Sequence, residues 1–184
     1  MTYYGPKEMA ASFRTVRGNT IKIAEEIPEE SYSYRAAPGC RSVAETLIHI
    51  TVGARLQEQI HIVDHRDTLG GFDFFAFMGR QAAEEQVKRS KAEILAMLYT
   101  EGEKYAKALE GLSEAFLAER VQYPQGMVPP SKSRFEMLIA PKEHEMHHRG
   151  QLIVIQRMLG MVPPLTRQMQ ERVAAIKAAN AQTA

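Results

Sequence analysis

Tryptophan is absent from the 184 residues, cysteine occurs once, and neither sign of charge is in excess. Each absence excludes something. A single cysteine, Cys40, rules out an intrachain disulfide and a cysteine-rich metal knuckle, and makes a reducing compartment the default expectation. Lys and Arg number 23 against 22 Asp and Glu, a formal net charge of +1, which argues against nucleic-acid binding by bulk electrostatics. No apolar run approaches the roughly 18 residues of a membrane span, and the first residues show no basic stretch followed by an apolar one. The expectation is a soluble, cytoplasmic protein with no nucleic-acid or membrane partner. Residues 1–184 suffice for one domain with a full core.

Helical periodicity dominates the rest of the chain. Met9, Phe13, Val16, Ile23 and Ile27 recur at spacings of three and four, with Thr20 filling the gap. Pro6 suits the first turn of this helix and Pro28 ends it. After a loop over 29–41, Ser42 and Glu45 make a capping box, and a second helix is predicted from Val43 to about His65. A third, from about Arg80 to Gly111, follows Val87, Lys91, Ile94, Leu98, Gly102, Tyr105 and Leu109, with a solvated outer face of mixed charge. Ser133 and Glu136 repeat the capping spacing, and a fourth helix runs to Leu159 with Gly160 as its stop. Pro141 lies inside it and predicts a kink. Leu165, Met169, Val173 and Ile176 mark a shorter C-terminal helix to about Asn180, able to cover a groove or pair with another subunit.

Two connections carry information. The stretch 68–78 holds Phe72, Phe74, Phe75 and Phe77, expected to cap the core or line a pocket. The stretch 112–132, with Pro124, Gly126, Pro129 and Pro130, is the longest link, long enough to let helices three and four run parallel. The pattern is all-α: a four-helix bundle with a long crossover and a short C-terminal helix.

The chemistry concentrates at Glu143-His144-Glu145-Met146-His147-His148-Arg149-Gly150-Gln151, where three of the six histidines fall within five residues. His144 and His148, four apart on a helix, are offset by only about 40° around its axis and present two nitrogens to one ion. His147 diverges by about 100° from His148. A third ligand is expected from His49, which lies on the apolar stripe of the second helix, as bundles build metal sites from facing helices. His61 and His65 form another pair at this spacing, but their phase relative to His49 puts them on a solvated face near the helix end.

Three neutral nitrogens leave a zinc-like ion an open position, the pattern of catalytic sites. The reading is a metal-dependent enzyme that activates a thiol or water for attack on a small-molecule electrophile. Gln151 shares the stripe of His144 and His148 and is read either as a partner of the site or as a packing residue. Glu143 and Glu145 flank the pair as weak candidates for a general base, since neither shares its face. Arg41 and Arg149 are weak candidates for contacting an anionic thiol cofactor, against the more usual surface salt bridge. Gly150 fits close helix approach.

Together the stretches Arg41-Ser42-Val43-Ala44-Glu45-Thr46-Leu47-Ile48-His49, His144 to Leu152, and Arg157-Met158-Leu159-Gly160 with Pro163-Pro164 resemble the DinB/YfiT-like superfamily of metal-binding four-helix bundles. The resemblance covers nearly the whole chain. It implies a bundle with one long crossover, a divalent metal (commonly zinc or nickel) on His49, His144 and His148, and a homodimer. Activities implied include thiol-dependent S-transferase, isomerase using a low-molecular-weight thiol, and hydrolase types. The chain departs from the family where many members carry tryptophan before the Ser or Thr of the first motif; here that residue is Arg41. The alternatives are a non-catalytic metal-binding or stress-response bundle, and a dimeric interaction module.

Overall fold

The computed structural model describes residues 4–182. Helix α1 spans Pro6–Glu26, opened by the Glu8 carboxylate accepting from the Gly5 N–H and by Pro6 in the first turn. It stops where Pro28 holds Ile27 out of the helical region. Helix α2 spans Val43–Val52, and its Ser42–Glu45 capping box forms as the sequence predicts. The expected single helix to His65 is broken beyond it: Gly53 interrupts, a single turn α3 follows at Arg55–Glu58, and a π turn covers Gln59–Val63.

The expected third helix is likewise two. Helix α4, Phe74–Glu85, is capped by Asp73, and α5, Lys91–Glu110, by a further Ser90–Glu93 capping box. The break at 86–90 leaves Val87 exposed, outside the core stripe assigned to it. The stretch 112–132 also folds locally, with α6 at Glu114–Ala118 and strand β1 at Arg120–Gln122. Strand β2, Ser131–Ser133, pairs antiparallel with β1, Val121 opposite Lys132. Helix α7, Arg134–Met158, passes through Pro141 without a break. Helix α8 covers Pro164–Gln182.

Helices α1 and α2 each pack on both α5 and α7, which places them on diagonal corners of a four-helix bundle. Two core clusters fix the directions. One unites the end of α1 (Ile23, Ile27), the start of α2 (Val43, Leu47), the start of α5 (Ile94, Leu98) and the end of α7 (Leu152, Ile155). The other unites the start of α1 (Met9, Phe13), the end of α5 (Tyr105, Leu109) and Leu138 near the start of α7. So α2 and α5 run parallel, while α5 and α7 run antiparallel. The crossover is therefore the 59–90 segment containing α4, and 112–132 merely turns the chain at one end, contrary to the sequence-based expectation. Each buried Leu or Ile contributes roughly 1.5–3 kcal/mol.

One ion pair crosses this core. Arg17 of α1 and Glu145 of α7 are 4% and 1% exposed and meet at 3.0 Å. Arg17 also donates to the carbonyls of Leu98 (2.9 Å) and Ile50. Its guanidinium lies over Gly102, where a Cβ would stand 2.8 Å from Arg17 Cγ, so glycine is what admits it.

Candidate metal centre

His49, on the last turn of α2, faces His144 and His148 on successive turns of α7. The His144 Nε2 lies 3.0 Å from His49 Nε2 and 3.1 Å from His148 Nε2. The ligand atoms of all three lie within 4.8 Å of one another, a group able to hold a metal ion. Nitrogens about 2.0–2.1 Å from a shared ion stand roughly 2.9–3.4 Å apart at right-angled to tetrahedral openings. The 3.0 and 3.1 Å separations fall in that range. Gly53 makes room: a Cβ there would be 3.1 Å from His144 Nδ1.

The outer nitrogens orient the rings. His49 Nδ1 donates to Glu85 Oε1 at 2.6 Å, and His148 Nδ1 donates to Gln151 Oε1 at 2.9 Å. In the neutral rings Nε2 of both is then a lone pair. Those two lone pairs face His144 Nε2, which carries one proton at most, so hydrogen bonding among the rings cannot satisfy the cluster and a cation suits it. Burial, then the neighbouring His148 and His49, pushes the His144 pKa down to about 4; burial lowers that of His148 as well. At neutral pH these rings present lone pairs.

The remaining candidates disperse. Gln151 sits where its phase predicted, and its Nε2 meets His147 Nε2 at 3.1 Å, tying the exposed His147 to His148 through one amide. Glu145 is committed to Arg17 in the core, and Glu143 is exposed. Neither occupies the position of a base at the histidines. Arg41 donates through Nε to Glu85 Oε2 at 2.6 Å, so Glu85 joins His49 and Arg41. Arg149 lies outside the linings of the two cavities beside the trio, its Nη1 buried without a partner.

His61 corrects the sequence expectation outright. His65 is exposed, but His61 is fully buried, its Nδ1 accepting from Arg134 Nη1 at 3.0 Å and its Nε2 donating to Gln57 Oε1 at 3.1 Å. The interruption at Gly53 and the wider π turn rotate it away from the phase of an unbroken α-helix. Burial and the Arg134 charge hold its pKa down at about 4.

Glu85 escaped the sequence reading. Its segment looked like the charged outer face of a long helix, and only the packing of α4 on α2 turns it inward. Around the trio lie two cavities. The more polar one, of about 800 Å³, is lined by Arg35, Cys40, Arg41, Glu45, His148 and Gln151 among others. An apolar one of about 430 Å³ reaches His49 and His144, with Leu56, Phe74, Phe77 and Met78 in its wall. Of the four phenylalanines, Phe74 and Phe77 thus line a pocket, and Phe75 is exposed.

Known proteins resemble the chain over most of its length. The DinB family model matches residues 1–180. The Bacillus subtilis (strain 168) protein named "Uncharacterized protein YjoA" is 28% identical over 159 residues, 83% of this chain and 90% of that protein. The crystal structure of the DinB-like protein YjoA from Bacillus subtilis is similar with a TM-score of 0.62 and 22% identity, covering 84% of this chain and 94% of that one. A DinB-like protein from Bacillus cereus ATCC 10987 is similar with a TM-score of 0.63 and 20% identity, covering 89% and 98%. At these identities the two structures speak for the fold alone.

Proposed function

The chain belongs to the DinB family, and we propose that it is a divalent-metal enzyme, with zinc or nickel on His49, His144 and His148, that activates a thiol or water against a small electrophile. The observation that carries this is the convergence of three Nε2 atoms, two of them fixed as lone pairs by Glu85 and Gln151. A divalent ion bound there supplies a Lewis acid that brings a coordinated water or thiol towards ionisation at neutral pH.

The chain's own residues do the rest. Glu85 accepts a hydrogen bond from His49 Nδ1–H and holds that ring in one tautomer, and Gln151 Oε1 does the same for His148. Arg41 holds Glu85 in turn and stands in the wall of the larger cavity, where the anionic group of a thiol cofactor would meet it. The two cavities favour catalysis over a structural ion, because a closed structural site has no use for space on both sides. The same reading includes a cytoplasmic homodimer, supported by the exposed stripe Met169, Val173 and Ile176 on α8. Among the described residues no helix is long and apolar enough to cross a membrane.

The test is metal content by mass spectrometry on protein purified without an affinity tag, for wild type, His49→Ala and His144→Ala. Near-stoichiometric metal, lost in both variants, is the expected result. An empty wild type, or metal indifferent to His49→Ala, overturns the three-histidine site. Metal-loaded protein is then assayed for thiol substitution of 1-chloro-2,4-dinitrobenzene, in which the thiolate sulfur displaces chloride from the ring, and equal rates with His148→Ala would remove the catalytic claim.

A further inference from the structure

We propose that the apolar cavity is a binding site for a neutral organic molecule of about two aromatic rings carrying one hydrogen-bond donor, held against the His49 and His144 edge of the trio. As the electrophile's place, this rests on the metal-site reading above; as a binding site, it rests on the cavity itself.

Four observations converge. The cavity, about 430 Å³, lies in the range of small-molecule sites, and at the packing density of protein interiors its occupant would be at most roughly 320 Å³. Its wall is apolar over most of its extent, from Val52 of α2 and Leu56 of α3 to Phe77 and Met78 of α4, and Ala140 and Pro141 of α7. Its charged members cancel: Arg41 and Glu85 are bonded to each other at 2.6 Å. A charged occupant would thus lose its hydration without gaining an unpaired partner of opposite sign. The fourth observation is Gln81, also in the wall, whose side-chain oxygen is buried with no hydrogen-bond partner. A buried amide oxygen left alone is costly, and rotation of the Gln81 side chain into the cavity would bring it to a donor on the occupant. Phe74 and Met78, 47% and 38% exposed, leave apolar surface in the same wall that an occupant would cover.

The probe is N-phenyl-1-naphthylamine, neutral, of this size and bearing one N–H, titrated by fluorescence into metal-stripped and metal-loaded protein. Saturable one-to-one binding is expected in both forms. Ala82→Trp, at an exposed position of α4 whose side chain lines the cavity, should weaken it at least tenfold with an unchanged thermal melt. The ether 1-phenoxynaphthalene, similar in shape without the N–H, should displace the amine several-fold less well from wild type and equally well from Gln81→Leu. Unsaturable binding, or affinity untouched by Ala82→Trp, overturns the site. Equal preference for amine and ether in wild type overturns the role of Gln81, and tighter binding of the anionic 1-anilinonaphthalene-8-sulfonate overturns the neutral occupant. Binding to metal-stripped protein separates the two readings: if it persists while metal never loads, the enzyme proposal falls and the pocket stands.

Discussion

Replacing Glu145 with methionine should be among the most damaging single changes in the molecule, although the residue lies next to His144 of the histidine trio in sequence. The substitution keeps the volume and removes the charge, stranding Arg17 at 4% exposure. Breaking one partner out of a buried pair costs about 3–5 kcal/mol, of a total stability of about 5–15 kcal/mol. The structure argues for the lower part of that range, because Leu98 and Ile50 still offer Arg17 their carbonyls at 2.9 and 3.4 Å. With a urea slope of about 2–3 kcal/mol per molar, the denaturation midpoint should fall by roughly 1–2 M with the slope unchanged. The double variant Arg17→Met, Glu145→Met should recover much of the loss, since two apolar side chains replace a pair whose desolvation was expensive. A coupling energy above about 1 kcal/mol from the three denaturation curves is the signature. A midpoint shift under roughly 0.3 M for Glu145→Met, equivalent to less than about 1 kcal/mol, would refute the reasoning. Metal content measured on the folded variant should be unchanged, as expected for a residue that faces α1.

His61 should make the protein acid-labile. Its folded pKa of about 4 lies below the ordinary 6.5, so stability is fully present above pH 6.5 and declines as pH falls towards 4, where the unfolded chain binds a proton that the folded one refuses. At pH 5 the loss is about 2 kcal/mol, and His61→Gln should reduce the pH 7.5 to pH 5 difference in urea stability by that amount; an identical difference would sink the idea. Gln156 is fully buried with neither side-chain amide atom bonded, so Gln156→Met should stabilise by about 1 kcal/mol or more in the same assay, and destabilisation would contradict the unpaired amide. Glu85→Ala should weaken metal binding by about 10–100-fold in competition with a chromogenic chelator while leaving the three histidines in place; unchanged affinity would show that the His49 ring needs no anchor.

Two histidine pairs at the same spacing met different fates, and the reason defines what the sequence could reveal. His144 and His148 lie within one unbroken helix, so their mutual geometry follows from 3.6 residues per turn. His49 is only seven residues beyond a capping serine, so its phase is equally local. Their meeting needed only that α2 and α7 pack, which the apolar stripes supplied. His61 was placed by counting turns from His49 across Gly53 and a π turn, and the helix ends before His65. Phase does not survive such interruptions. The Ser90–Glu93 box was visible at the spacing used for Ser42 and Ser133, but it sat inside a charged, alanine-rich stretch whose composition favours helix on both sides. Treating it as a start would have split the segment correctly and freed α4 to cross the bundle. Even then Glu85 would have stayed hidden. A carboxylate on an amphipathic surface becomes the anchor of His49 only through the path of a crossover, and that path is set by which helices run parallel rather than by any spacing along α4.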